Sequence, residues 1–318
     1  MHEVNAAVCA GLLAVLLGGA GDIAYASPDA ATAPPDSGEV ATKQRCPKGQ
    51  PLRIEGKVSS GEIEELSGLV VSRRQPGVLW VHNDSGDKGR LYALDVHGRL
   101  LMKVKLDDVD PKDVEDIAIG KGPDGADAII LADTGDNDRK REHVRLYRLR
   151  EPKVSLGDKQ PKQKHTVHTI DVRYEDGPHD VETLLVDPRD GDLYLVEKAP
   201  LLSSQQEVGV YRVSAAEVEA GRATARRVAR LPLGPATAGD VLPDGSAIAV
   251  RSYTRLFLWP RKPGESLVDA LARPGCALPL ADLGQQGEAF GFIPDGSGYF
   301  TSVEGEHAPI HRYALGKK

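Results

Sequence analysis

Glu115-Asp116-Ile117-Ala118-Ile119 is one rendering of a phrase that the chain writes five times. Two more copies are close to it, Ser67-Gly68-Leu69-Val70-Val71 and Glu182-Thr183-Leu184-Leu185-Val186. Two are looser, Thr237-Ala238-Gly239-Asp240-Val241 and Glu288-Ala289-Phe290-Gly291-Phe292. Each leads into a turn and a second apolar strand, then usually a third. The copies begin at 67, 115, 182, 237 and 288, so successive starts lie 48, 67, 55 and 51 residues apart. Units of about 40–50 residues, each holding several short strands, are the signature of propeller blades. Coils of a β-helix are far shorter than this, and a β-sandwich has no need of five similar units. The fold expected is all-β, a five-bladed β-propeller, with room for a degenerate sixth blade in the 67-residue interval from 115 to 182.

The blades can be followed strand by strand. Second strands are expected at 78–81, 128–132, 193–196, 247–250 and 298–302, and third strands at 90–94, 144–149, 208–213, 256–259 and 309–315. Pro243-Asp244-Gly245, Pro294-Asp295-Gly296 and Arg189-Asp190-Gly191 supply hairpin turns between first and second strands. Fourth strands fit at 102–106, 165–172, 225–231 and 277–280, and the last copy has none. The stretch 52–58, Leu-Arg-Ile-Glu-Gly-Lys-Val, belongs to no blade of its own. It is expected to complete the last blade and close the ring.

Composition agrees with short strands joined by many turns: the 318 residues include 34 Gly and 22 Pro. The formal charge of −7 and the lack of any basic stripe longer than Arg139-Lys140-Arg141 exclude nucleic acid as the expected partner. Residues 6–20 are almost all Ala, Val, Leu and Gly and are followed by Ala24-Tyr25-Ala26, a small-x-small cleavage site. Residues 1–26 therefore read as a secretory signal, although Met1-His2-Glu3 lacks the usual basic residue. An uncleaved anchor is the alternative, for which the run is short and rich in Gly. Residues 27–45, rich in Ala, Pro, Asp, Ser and Thr, read as a disordered linker, and 46–318 as the propeller domain. Cleavage removes Glu3, Asp22 and Cys9 but no Lys or Arg, which changes the formal charge from −7 to −5. It leaves Cys46 and Cys276, expected to pair as a disulfide outside the cell, with two free buried thiols as the alternative. A secreted monomer with no stable membrane span is the expectation.

Neighbouring strands of a blade run antiparallel, so the start of the first and the end of the second share one mouth of the channel. The starts are Ser67, Glu115, Glu182, Thr237 and Glu288; the ends are Asp84, Asp133, Glu197, Arg251 and Glu304. Carboxylates around one axis repel unless they are protonated or neutralised by a cation. The oxygen-only starts suit a hard divalent ion, calcium, and no His or Cys among them favours zinc. The plainer alternative is that these Glu side chains pair with backbone amides and water. Asp84-Ser85-Gly86-Asp87 echoes Asp133-Thr134-Gly135-Asp136, and Asp84 and Asp133 are the candidate general bases. Arg251 and Lys198, beside Glu197, are candidates for holding a ligand's negative charge, with Glu304 completing the mouth. No G-x-S-x-G, P-loop or H-E-x-x-H motif is present.

Leu66-Ser67-Gly68-Leu69 with Leu79-Trp80-Val81-His82-Asn83-Asp84-Ser85-Gly86, then Val114-Glu115-Asp116 and Ala132-Asp133-Thr134-Gly135-Asp136-Asn137, resembles a group of secreted bacterial propellers related to phytase-like and esterase-like proteins. More distantly, the order Ser67, Glu115, Glu182, Thr237, Glu288 is similar to that of calcium-activated nucleotidases (apyrases), five-bladed propellers with a central calcium. That likeness implies calcium on those five residues, with Thr237 a departure from the usual Ser, and Asp84 at a comparable acidic position. The functional expectation is hydrolysis of phosphate esters or anhydrides at the acidic mouth. Its alternatives are a calcium-stabilised, non-catalytic module that binds a small molecule or polysaccharide, and a lactonase or esterase.

Overall fold

Runs such as Val181–Val186 and Ala247–Ser252 are buried along their whole length, so they form strands covered on both faces. The computed structural model describes residues 46–49, 53–84, 86–154, 165–199, 207–280 and 286–316, all within the unit Gln44–Lys318. The expected signal and linker, 1–45, lie outside the described residues.

Strand β1 is Arg53–Lys57. The first full sheet holds β2 (Leu66–Val71), β3 (Val78–Asn83), β4 (Arg90–Asp95) and β5 (Leu100–Lys105). The second set is β6 (Val114–Lys121), β7 (Asp127–Asp133), β8 (Val144–Arg150) and β9 (Val167–Tyr174). The third is β10 (Val181–Val186), β11 (Leu193–Glu197), β12 (Val208–Val213) and β13 (Arg222–Leu231), with helix α1 (Ala215–Glu219) between the last two. The fourth is β14 (Ala236–Val241), β15 (Ala247–Ser252), β16 (Leu256–Pro260) and β17 (Cys276–Leu278), with α2 (Leu267–Leu271) before β17. The last is β18 (Ala289–Phe292), β19 (Gly298–Ser302) and β20 (Pro309–Ala314). Its outer strand is β1, which pairs antiparallel with β20.

The protein is thus all-β, built from antiparallel four-stranded sheets, an arrangement consistent with a β-propeller. The second and third sets join into one eight-stranded sheet because β9 pairs in parallel with β13, from Asp171 with Arg222 to Tyr174 with Ala225. The long interval from 115 to 182 holds β6 to β9 and, among the described residues, no further sheet. Turn glycines Gly191, Gly245 and Gly296 take φ values of 83°, 70° and 73°, the left-handed region that hairpin turns require of them.

First strands touch in a closed cycle, β2 to β6 to β10 to β14 to β18 and back to β2. Between each successive pair of sheets lies an apolar cluster. One, for example, sets Leu69, Val81 and Tyr92 against Phe300 and Ile310 of the last sheet. Another sets Leu185 and Val196 against Ile248 and Trp259. Polar staples tie neighbouring sheets at the centre. The Asp116 carboxylate accepts from Leu184 N at 2.7 Å, Thr134 Oγ1 donates to Val181 O at 2.7 Å, and the Asp240 carboxylate accepts from Phe292 N at 2.9 Å.

Cys46 and Cys276, separated by 230 positions in sequence, form a disulfide with Cα atoms 5.4 Å apart. It ties the segment before β1 to the outer strand of the fourth sheet. In the chain-entropy view so long a loop contributes at most about 5 kcal/mol. Cys46→Ser is expected to lower Tm by several degrees under oxidising conditions; a Tm unaffected by the substitution or by reductant contradicts this role.

Candidate metal centre

In four of the five first strands the pairing slips by one residue, and the residue left over is the polar one. Leu66 pairs with Asn83 and Gly68 with His82, leaving Ser67 as the bulge. The same slip isolates Glu115 between Val114 and Asp116, Glu182 between Val181 and Thr183, and Thr237 between Ala236 and Ala238. A β-bulge re-aims its side chain out of the sheet's alternation. Glu288 stands directly before β18, whose first pair is Ala289 with Ser302. All five side chains are buried. The two hydroxyls have a task of their own: Ser67 Oγ donates to Glu115 O at 3.1 Å and Thr237 Oγ1 to Gly287 O at 2.8 Å, each pinning one sheet to the next.

Beyond the bulge a second row forms. Asp84 N donates to Glu65 O at 2.9 Å, Lys198 N to Asp180 O at 2.9 Å and Glu304 N to Gln286 O at 2.8 Å. Asp84, Lys198 and Glu304 therefore hold equivalent positions. Asp133 pairs with Val114 and Glu197 with Val181, the place that Asn83 takes opposite Leu66, one residue earlier. Arg251 pairs with Ala238 and so matches His82, two residues earlier. A slip of one residue turns a side chain to the other face.

Asp133 and Glu197 are accordingly engaged elsewhere than at the expected mouth, and Arg251, also expected there, is held by backbone carbonyls. The buried Asp133 accepts from Arg141 Nη2 at 2.8 Å, Asp113 N at 3.1 Å and Tyr147 Oη at 3.3 Å. Glu197 Oε1 faces Arg139 Nη2 at 3.0 Å and His179 Nδ1 at 3.2 Å, while Oε2 accepts from Gly209 N at 3.2 Å. Arg251 is fully buried and donates to Ala289 O at 2.9 Å and Ser302 O at 3.0 Å, where Gly287 leaves space for its guanidinium.

Among the described residues seven carboxylates do converge, in three overlapping groups: Asp84, Glu288 and Glu304; Asp84, Asp113 and Glu115; Glu115, Asp180 and Glu182. Within each group the potential ligand oxygens lie within 4.8 Å of one another. Lys198 joins them, its Nζ paired with Glu182 Oε1 and 5.6 Å from the centre of the Tyr253 ring. Asp113 and Asp180 escaped the sequence reading. Their signal was the repeated tripeptide Asp-Val-Glu at 113–115 and 180–182, which sets an Asp two residues ahead of the bulged Glu.

Crowding and burial favour protonated forms here. Burial, then the charges of Asp84 and Asp180, raises Asp113 to about 6. Burial, then Glu304 and Asp84, raises Glu288 to about 7. Burial and Glu182 hold Glu115 well above the usual range, and burial does the same to Glu182 in spite of Lys198.

The donor set fits a hard divalent cation such as calcium. All grouped ligands are carboxylate oxygens, and no His or Cys is among them. The Glu115 side chain, 5% exposed, accepts no hydrogen bond among the described residues. Any side chain at Gly135 would strike the Glu115 and Asp113 carboxylates, so the glycine leaves them their space. Glu304 Oε2 is likewise buried without a hydrogen-bond partner among the described residues.

No family model and no curated protein matches the sequence. Among solved structures the chain is similar to the WD40 repeats of RRP9, at 11% identity and a TM-score of 0.40, covering 86% of this chain and 99% of that one. It is also similar to hydrazine synthase of Kuenenia stuttgartiensis, at 12% identity and a TM-score of 0.37, covering 75% of this chain and 61% of that one.

The protonation pattern has a consequence for stability. The folded protein keeps protons on Asp113 and Glu288 up to about 6 and about 7, against ordinary values of 3.8 and 4.5. The folded state binds more protons than the unfolded chain in that window, so stability of the cation-free protein falls as pH rises from about 4 to about 7. In chelator, Tm is expected to be higher at about pH 5 than at about pH 7.5, with D113N/E288Q flattening the slope. A cation-free Tm that rises over this range contradicts the assignment.

Proposed function

We propose that the unit Gln44–Lys318 is a five-bladed β-propeller of a secreted protein, closed by β1 in the last blade, and that it binds calcium at its acidic end and hydrolyses a phosphate ester or anhydride there. The closed cycle of first strands and the apolar cluster between each neighbouring pair support the blade count. The observation that carries the chemistry is the convergence of seven carboxylates and one lysine.

An anionic substrate is repelled by such an end unless positive charge stands between them. Asp84, Asp113 and Glu115 are the residues to hold the cation, since Asp84 is shared by two groups and the Glu115 carboxylate accepts no hydrogen bond among the described residues. Calcium, when bound, supplies Lewis-acid neutralisation of phosphate oxygens. Lys198, partly exposed beside Glu182, adds an ammonium on the same side. With Asp84 enclosed among ligands and Asp133 engaged by Arg141, the task of base falls to Glu304. It is partly buried, keeps Oε2 without a hydrogen bond among the described residues, and is held above the ordinary carboxylate range by burial and then by Asp84. It takes the proton of a water whose oxygen attacks phosphorus, the P–O bond to the leaving group breaks, and that oxygen is protonated from solvent.

The depth of Glu115 and Glu182, 5% and 4% exposed, favours a second reading in which the cation is enclosed and holds the sheets together. The mouth then binds a small molecule or polysaccharide without turning it over.

Residues 27–318, assayed with nucleoside di- and triphosphates, phytate and phosphomonoesters, are expected to release phosphate with calcium and not with chelator. Glu304→Gln is expected to lower kcat by about 10²–10⁴-fold while calcium still raises Tm. No release from any substrate, with a Tm that calcium still raises, leaves the binding module.

A further inference from the structure

We propose that the seam where β9 meets β13 is a further binding site, one for a phosphate group carried on a small molecule, with Arg173 and Arg222 as the residues that hold it. The site does not rest on the chemistry of the acidic end. β9 and β13 each lie three strands away from the first strand of their own set. Along their seam opens a groove of about 680 Å³, lined by His143, Arg145, Asp171, Arg173, Glu217 and Arg222 among others. Small-molecule sites span about 300–1,000 Å³, so the groove has room for more than a bare ion.

Register explains its charge. Across the parallel pair Asp171 stands opposite Arg222, and Arg173 opposite Thr224; on the other side of β9, Asp171 stands opposite Arg145. Val172, Ala223 and Ala225 are buried, so alternation turns Asp171, Arg173, Arg222 and Thr224 outward together. One row across the three strands is then Arg145, Asp171, Arg222, with two guanidiniums for one carboxylate. The next row sets Arg173 beside Thr224, with no acid between them. The acids of the groove are already engaged. Asp171 pairs with Arg145 at 3.4 Å, and Glu217 pairs with Arg226 at 2.9 Å while closing the capping box of α1 with Ser214. Arg173 Nε donates to the Thr224 hydroxyl at 3.2 Å, a neutral partner. Among the described residues neither Arg173 nor Arg222 forms an ion pair, although Arg222 stands directly opposite Asp171. Two guanidiniums are thus left uncompensated on a chain whose formal charge is −7. Strand spacing and rise put the Cα atoms of Arg173 and Arg222 about 8 Å apart, a span that two arginines close on one ligand group. Like charges so placed destabilise a sheet, and a dianion between them relieves the repulsion. A guanidinium presents a planar fork of N–H donors that fits phosphate oxygens in pairs. A phosphate monoester carries close to two negative charges at neutral pH, which matches two forks; a carboxylate carries one.

The test titrates inorganic phosphate, glucose 6-phosphate and acetate into residues 27–318 in chelator at fixed ionic strength, read by isothermal titration and by phosphorus NMR line width. Chelator keeps calcium from recruiting phosphate elsewhere. Both phosphate probes are expected to bind, and acetate to bind at least about tenfold more weakly. Arg173→Gln and Arg222→Gln are each expected to weaken phosphate about tenfold or more, and the double variant to abolish binding. Asp171→Asn is expected to tighten it, since it removes a negative charge from the groove. Arg222→Lys, which keeps the charge and loses the fork, stands in for any glutamine variant that does not fold, and is expected to weaken binding by a smaller factor. Equal affinities in the wild type and the folded double variant, or a wild type that binds neither phosphate probe, overturn the proposal and leave the reading of the acidic end untouched. Phosphate lost on Lys198→Gln in place of the arginine variants assigns the anion to the acidic end and also overturns it.

Discussion

Mutual repulsion among buried carboxylates is the constraint around which this structure is arranged. Among the described residues seven carboxylates are drawn together, four of them buried and three partly so, and four of the five first strands carry a bulge at the residue that opens the repeated phrase. A regular strand would alternate Glu115 and Glu182 into the apolar space between sheets, where a charge is very costly. The bulge takes the residue out of that alternation and turns it toward its counterparts on the neighbouring sheets. The same device that relieves the packing problem creates the electrostatic one. Protons answer it in the cation-free protein, with Asp113 and Glu288 raised to about 6 and about 7. A divalent ion at the proposed centre would answer it more completely, since it would neutralise several oxygens at once.

The rest of the architecture makes that crowding mechanically possible. Successive sheets are locked by apolar clusters and by central staples such as Asp116 to Leu184 N and Thr237 to Gly287 O. Because first strands close into a cycle, no single sheet can relax outward without breaking contacts with both neighbours. The pairing of β1 with β20 and the Cys46–Cys276 disulfide hold the point where the ends of the chain meet the sheets. Residues such as Asp133, Arg141 and Tyr147 then serve as support: they fix the Asp113 backbone rather than face the cluster themselves.

Much of the strand order was legible because each copy repeats apolar runs separated by Gly-containing turns, and those turns are where Gly191, Gly245 and Gly296 stand. Glu115, Glu182 and Glu288 were legible as acids opening apolar strands. Register was harder to read. Asp133 and Glu197 look like the counterparts of Asp84 in sequence, yet the ladder sets them beside Asn83, because strand ends differ by one residue and sequence does not show where pairing stops. Arg251 drew attention as a charge in an acidic set, but its side chain reaches the carbonyls of Ala289 and Ser302. Asp113 and Asp180 were hidden by being ordinary loop residues; only their shared spacing from the following Glu marks them. The parallel pairing of β9 with β13 left no trace in the pattern, since edge pairing depends on how two sheets meet in space.

The most direct measurement is a long-wavelength anomalous difference map from crystals of residues 27–318 grown in calcium. The account expects a peak with Asp84, Asp113 and Glu115 oxygens about 2.3–2.6 Å away. Crystals at saturating calcium with no peak among the seven carboxylates would contradict it, and would leave protons alone to hold the cluster together.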